Sequence, residues 1–227
     1  MATVRKNQKS LSQQEWAALV AAINSMHGTG AKAPAYRTFV NLHVEAMSMT
    51  NMVAWGVHYM GSGPLSNGRN FLAWHRRFLQ QFEKRLGVAL PYWDWVAERA
   101  LPAALTAPAL LRSWSVTRHW NSASLPTATD VQAVMTIGDF PTFQFELEGL
   151  HDRVHNAVGG NMSTAASPSD PLFFLHHANI DRLWDQWQQA HPGINPPNVA
   201  ETLRKAPLEG VKVPTQLSIA QLGYSYA

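Results

Sequence analysis

The stretch "SPSDPLFFLHHANIDRLWDQWQ", residues 167–188, reads as a helix whose apolar face carries a histidine. Phe173, His177, Ile180, Trp184 and Trp187 follow one another at intervals of 4, 3, 4 and 3, the period of a single helix face. Asp170 supplies an N-cap and Pro171 a first helical residue, so the pattern predicts a helix running to Ala190. His177 lies on the stripe directed at the core, and His176 is rotated off it by about 100°. A polar ring on a buried stripe costs free energy unless its nitrogens find partners.

The same period recurs upstream. Ser12 and Glu15 have the spacing of a capping box, which predicts a helix from Gln13 to Met26 that stops near Gly28. "APAYRTFVNLHVEAMSM" puts Tyr36, Phe39, His43 and Met47 on one face. Gly61, Gly63, Pro64, Asn67 and Gly68 mark a loop. Leu72, His75, Leu79, Phe82 and Leu86 then repeat the helical spacing as far as Gly87. "LPYWDW" predicts a buried corner, and residues 98–138 a surface excursion with short helices. "DFPTFQFELEG" leads into "LHDRVHNAVGG", a short helix closed by Gly159 and Gly160. The tail after Gly193 reads as loop, and "VRKNQK" near the start as a solvated arm. The expectation is a mainly α fold, a four-helix bundle core with long loops, in one domain spanning residues 1–227.

Composition narrows the functions available. With 46% hydrophobic residues, nine Trp and nine Phe, the chain has the material for a large core and is not disordered. The net charge is +3 and the basic residues are dispersed, which leaves no nucleic-acid footprint. Without cysteine there are no disulfides and no thiolate metal sites. No apolar segment has the character of a signal peptide or a membrane span. The expected location is the cytoplasm, or secretion only in association with an exported partner.

Ten histidines remain to be explained. Five of them, His43, His75, His151, His155 and His177, project from four predicted helices toward one interior, His151 and His155 being four residues apart on one side. Any one alone reads as a core residue bonded to a neighbour. Five on converging stripes cannot all serve one another, whereas a metal takes one nitrogen from each and leaves the other for a supporting partner. Imidazole without thiolate or carboxylate suits copper or zinc. "HDRVH" lacks the glutamate of the zinc-protease pattern. Glu148 and His151 make a single Glu-x-x-His, where a di-iron bundle needs two. More than four histidine ligands point to two copper ions.

"FLAWHRRFLQQFEKRL", "LPYWDW", "LEG" before "LHDRVH", and "SPSDPLFFLHHANIDRLW" together closely resemble the type-3 dicopper tyrosinases. "TVRKNQKSLS" and "YRTFVNLH" extend the resemblance, in the manner of compact actinobacterial members, over nearly the whole chain. The resemblance implies that His43 and His75 bind the first copper, CuA, and His151, His155 and His177 the second, CuB. A further CuA ligand usually stands about nine residues before the second of these. Here that position falls in "LSNGR", which has no histidine, and His58 takes the role. Glu148 matches a water-holding glutamate, with Glu146 as the other possibility. Asp152 stands where enzymes that hydroxylate monophenols commonly carry Asn; it either assists proton removal from a phenol or pairs with Arg153 or Arg76. Asp181 either orients His177 or pairs with an arginine. Asn156 and Ala165 are expected at the substrate rim. "YSY" resembles the end of the family's catalytic domain, and no C-terminal shielding domain is expected.

The function implied is copper-dependent oxidation of small phenols by O2: ortho-hydroxylation of monophenols and oxidation of o-diphenols to o-quinones, as in melanin formation. A copper-delivery helper protein is a possible partner, while nucleic acid and membranes are not. Three other readings stay open: a catechol or o-aminophenol oxidase, a hemocyanin-like O2 carrier, and a metal-free or zinc-bound structural bundle.

Overall fold

A computed structural model of the protein describes residues 3–28, 35–59, 68–203 and 210–227. Most of the predicted loop around Gly61, Gly63, Pro64 and Asn67 lies outside the described residues. The described elements are β1 (Thr3–Arg5), α1 (Gln13–His27), α2 (Ala35–Ala46), α3 (Met49–Trp55), α4 (Phe71–Leu86), α5 (Pro108–Trp114), α6 (Ala128–Met135), α7 (Phe140–Val158), α8 (Leu172–Ala190) and β2 (Tyr224–Tyr226). Helices α2, α4, α7 and α8 surround one apolar core, with α1 packed outside α2 and α4.

Local chemistry accounts for most boundaries. Ser12 and Glu15 form the reciprocal capping box that starts α1. The side chain of Asp139 accepts from Thr142 N at the head of α7. At α8 the chain enters through Pro171, and Asp170 accepts from Leu172 N at 2.9 Å while Arg118 clamps its carboxylate at 2.7 Å through both Nε and Nη2. Trp74, Phe78, Phe173 and Trp184 are among the side chains that close the core between α4 and α8, and Trp187 stacks on Phe143 of α7. "LPYWDW" is the buried corner expected, with Trp93 and Trp95 sealed from solvent.

Three expectations change. The segment 140–158 is one continuous helix rather than a leader followed by a short helix, because Gly149 sits on an open face and costs only about 1 kcal/mol there. The tail is not wholly loop: β2 pairs in parallel with β1, Thr3 opposite Tyr224 and Arg5 opposite Tyr226. The start is accordingly no solvated arm. Arg5 is fully buried, and Lys6 and Lys9 reach outward to Glu15 and Glu98.

Candidate metal centre

Four helices and one turn deliver the histidines. His43 closes α2, His75 sits in the first half of α4, His151 and His155 occupy successive turns of α7, and His177 lies early in α8. His58 has no helix to carry it. Gly56, with φ of 63°, ends α3 and turns the chain inward, and Asn70 ties that turn to α4 by donating to Trp55 O and Gly56 O. Candidate ligand nitrogens of His43, His58 and His75 lie within 4.8 Å of one another, as do those of His151, His155, His176 and His177. All seven residues are buried.

Hydrogen bonding fixes which nitrogen faces inward. His43 Nδ1 donates to Ala165 O at 2.7 Å, His75 Nδ1 to Phe71 O at 2.8 Å, and His58 Nδ1 to Glu148 Oε1 at 2.7 Å. Their three Nε2 atoms are consequently bare lone pairs, buried and without a partner among the described residues. In the second group His155 Nδ1 donates to Met162 O at 2.6 Å and His151 Nδ1 to Asp152 Oδ1 at 3.0 Å. Both of their Nε2 atoms approach His177 Nε2, at 3.3 Å and 3.2 Å. One proton on His177 can satisfy only one of these lone pairs. A cation satisfies them all, and each Nδ1 partner holds its ring in the tautomer that a metal requires.

The surroundings keep the rings neutral. Burial, reinforced by neighbouring imidazoles, holds His43 at about 3; burial brings His58 and His155 to about 4, and His75, His151 and His177 well below the ordinary value. Phe173 stacks on His177 at 4.0 Å, Phe71 flanks His75 at 5.0 Å, and His75 and His177 stack at 4.4 Å, which brings the two groups together. The donor set of neutral imidazoles, with no thiolate and no carboxylate in either cluster among the described residues, fits copper.

A cavity of about 260 Å³ opens beside the two groups. Asp152, Asn156, Ala165 and Met47 line it together with His43, His58, His151 and His155. Its position explains three expected residues and adds to one of them. Asp152 is exposed and contacts His151, while Arg153 and Arg76 pair elsewhere, with Asp130 and Asp181. Ala165 combines a small side chain at the rim with a carbonyl that fixes His43. Asn156 lies on the same lining. Glu148 is buried at the His58 side: Oε1 accepts from His58 and from Tyr59 N, and Oε2 has no partner among the described residues. Burial, then the nearby Asp152 charge, pushes its carboxyl well above the usual range. Glu146 is exposed and does not reach the site.

Asp181 does not orient His177. Its two oxygens accept from Arg76 Nε at 2.5 Å, Arg5 Nη1 at 3.1 Å, Tyr224 Oη at 2.7 Å and Tyr226 Oη at 2.5 Å. Of the two roles expected for it, the arginine pair is the one present. The supporting carbonyls of Ala165, Phe71 and Met162 left no trace in the sequence, since any residue type supplies a carbonyl. His176 belongs geometrically to the second group although its ring lies against His151, stacked at 5.2 Å and 19°.

Two buried histidine clusters inside one helical bundle, side by side and opening on a common cavity, define a dinuclear metal protein. The model of the common central domain of tyrosinase matches residues 33–115 and 106–190, and the chain belongs to the tyrosinase family, whose members are dinuclear copper enzymes. It is 34% identical to a tyrosinase of Streptomyces antibioticus across 88% of this chain and 90% of that one. It is 26% identical to the grixazone synthase of Streptomyces griseus across 86% and 87% respectively. The fold matches a polyphenol oxidase of Thermothelomyces thermophila with a TM-score of 0.76 at 18% identity, covering 100% of this chain and 89% of that one. It also matches a functional unit of octopus hemocyanin with a TM-score of 0.73 at 25% identity, covering 99% and 68%.

Proposed function

We propose that one catalytic domain, residues 1–227, holds one copper ion on His43, His58 and His75 and a second on His151, His155 and His177, and oxidises small phenols with O2. The observation that carries this reading is the set of buried Nε2 lone pairs whose own Nδ1 hydrogens are already committed. When bound, the copper pair supplies O2 binding and the electron-accepting capacity for phenol oxidation.

The protein's part is positioning and proton handling. Phe173 and Phe71 wall the histidines, which excludes water from the inner side of the rings. A phenol entering the cavity passes Ala165, whose methyl leaves room for an aromatic ring, and Asn156, which offers an amide to a phenolic oxygen. Asp152 stands at the same rim as a carboxylate able to accept a phenolic proton. Glu148, raised by burial and with Oε2 free, is suited to hold a water or a proton next to His58. We assign both ortho-hydroxylation of monophenols and oxidation of o-diphenols to this site.

Reconstitution of the metal-free chain with copper tests the assignment. Two coppers per chain, with turnover of a monophenol and its matching o-diphenol, are expected. Diphenol turnover without monophenol turnover would make the protein a catechol or o-aminophenol oxidase, a reading favoured by the carboxylate of Asp152 at the rim. Reversible O2 binding without either activity would make it a hemocyanin-like carrier.

A further inference from the structure

Four of the eight methionines, Met47, Met49, Met52 and Met60, fall within fourteen residues, and the phenol-oxidising chemistry uses none of them. Met47 stands one turn after His43 and lines the cavity with His43 and His58. Met49 and Met52 follow three residues apart, on one face of α3. Met49 is 69% exposed, the highest among the described large hydrophobic residues, and Met52 is half-buried. Met47 thus stands on the cavity wall, and Met49 and Met52 follow it within five residues, the first open to solvent and the second half-buried.

We propose that Met47, Met49 and Met52 are a capture site for Cu(I), which takes the ion at the surface and passes it to His43 and the CuA histidines. The proposal rests on the copper assignment above. A thioether is a soft, neutral donor that selects Cu(I) over harder divalent cations. Its unbranched side chain swings through several rotamers, which suits a ligand that must release its ion. Neither ligand set contains a charged group, and the carboxylate exposed at the rim, Asp152, is a hard oxygen donor with no preference for Cu(I), so a soft site at the entrance supplies a selective first contact. Transfer is ligand exchange, thioether for imidazole, with copper remaining Cu(I) throughout. A purely apolar role, as a wall for the phenol ring or as surface packing, would be served equally well by leucine.

The test uses the full chain without copper, labelled with 13C at the methionine methyl groups, and Ag(I) as a redox-inert substitute for Cu(I). The methyl resonances of Met47, Met49 and Met52 are expected to shift on addition of Ag(I), while that of Met26, sealed in the core, stays in place. In parallel, a variant with Met47→Leu, Met49→Leu and Met52→Leu, substitutions that conserve volume, is loaded from a Cu(I)–chelator complex. It is expected to take up copper several-fold more slowly than the unmodified chain and to reach the same final content. Unshifted methyl resonances at the three positions, or loading at the unmodified rate, overturns the proposal. A chain that ends without copper in either form overturns the histidine assignment instead, because the silver shifts report on the methionines independently.

Discussion

Asp181→Asn is the perturbation that most sharply separates support of the fold from support of the metal. Asp181 is 3% exposed and its carboxylate accepts four hydrogen bonds, from Arg5, Arg76, Tyr224 and Tyr226. An amide keeps the shape but turns one acceptor into a donor aimed at donors, and leaves two buried guanidinium groups with less counter-charge. Removing one partner of a buried ion pair costs about 3–5 kcal/mol. Arg5 retains Glu83 at 2.9 Å and Arg76 retains the carbonyl of Gln216 at 2.8 Å, so the loss belongs at the lower end of that range. For a chain of this size each kcal/mol lowers Tm by about 2–4 °C, which gives a fall of roughly 6–12 °C for a loss of about 3 kcal/mol. The assay is urea and thermal unfolding of the metal-free protein, followed by tryptophan fluorescence, so that metal binding adds nothing to the difference. Burial alone would raise the Asp181 carboxyl, but Arg76 and Arg5 outweigh it and hold the folded-state value below the ordinary one. Its stabilisation is therefore complete above the unfolded value of about 4 and fades as pH falls through the lower folded value. The gap between Asp181→Asn and the parent should narrow over that acid range. A loss below about 1 kcal/mol, coupled to selective loss of one copper, would refute this account and restore Asp181 as a support of His177.

Other expectations concern the centre directly. His177→Ala should lower the copper content from two to one per chain, whereas His176→Phe, which keeps the stacked ring and removes its nitrogens, should retain both; metal analysis of the purified variants decides. Glu148→Gln replaces the carboxyl that accepts from both His58 Nδ1 and Tyr59 N with an amide, and the affinity for the first copper should fall by about 10–100-fold in chelator competition. Ala165→Leu leaves the carbonyl that holds His43 and fills the rim, so KM for a monophenol should rise while copper content stays unchanged. Asp152→Asn should alter the ratio of monophenol to diphenol turnover without changing unfolding, because the side chain is exposed.

Much of the bundle was legible because its helices are amphipathic. The stripe through His177 and the box at Ser12 and Glu15 specify position and orientation through local spacing alone. The site was legible for the same reason wherever a histidine rides a helix face. His58 was reachable only through resemblance, since it sits on a turn held by Asn70, and a turn has no period to read. The pairing of β1 with β2 was illegible from pattern: each strand has three residues, and their contact joins positions more than two hundred residues apart. Arg5 was misread for a related reason. A charged residue in a polar stretch looks solvated unless its distant carboxylates are known, and Glu83 and Asp181 lie on α4 and α8. Gly149 lowers helix propensity in the middle of 140–158, yet packing of Phe143, Leu147, Leu150 and Val154 outweighs that cost and keeps the segment one helix.

The ion cluster and the histidine clusters are two ends of one mechanical arrangement. Arg76 follows His75 on α4, and Asp181 stands one turn beyond His177 on α8. The 2.5 Å bond between Arg76 and Asp181 consequently joins the two helices about a turn away from the place where His75 and His177 stack at 4.4 Å. One histidine belongs to each cluster, so the rotation of α4 against α8 sets the separation of the two groups of Nε2 atoms. Arg5 and Tyr226, from the paired strands at the two ends of the chain, close on the same carboxylate and make that rotation depend on both strands. Tyr226→Phe removes two hydrogen bonds with charged groups, the one its hydroxyl donates to Asp181 and the one it accepts from Arg5, each worth about 1.5–3 kcal/mol, without touching a histidine. If the cluster sets helix register, this variant should bind both coppers with unchanged stoichiometry but weaker affinity for each, because neither group is then held at its spacing before the metal arrives. Equal affinity in the parent and in Tyr226→Phe, with only the unfolding free energy reduced, would confine the cluster to stability and detach it from the metal centre.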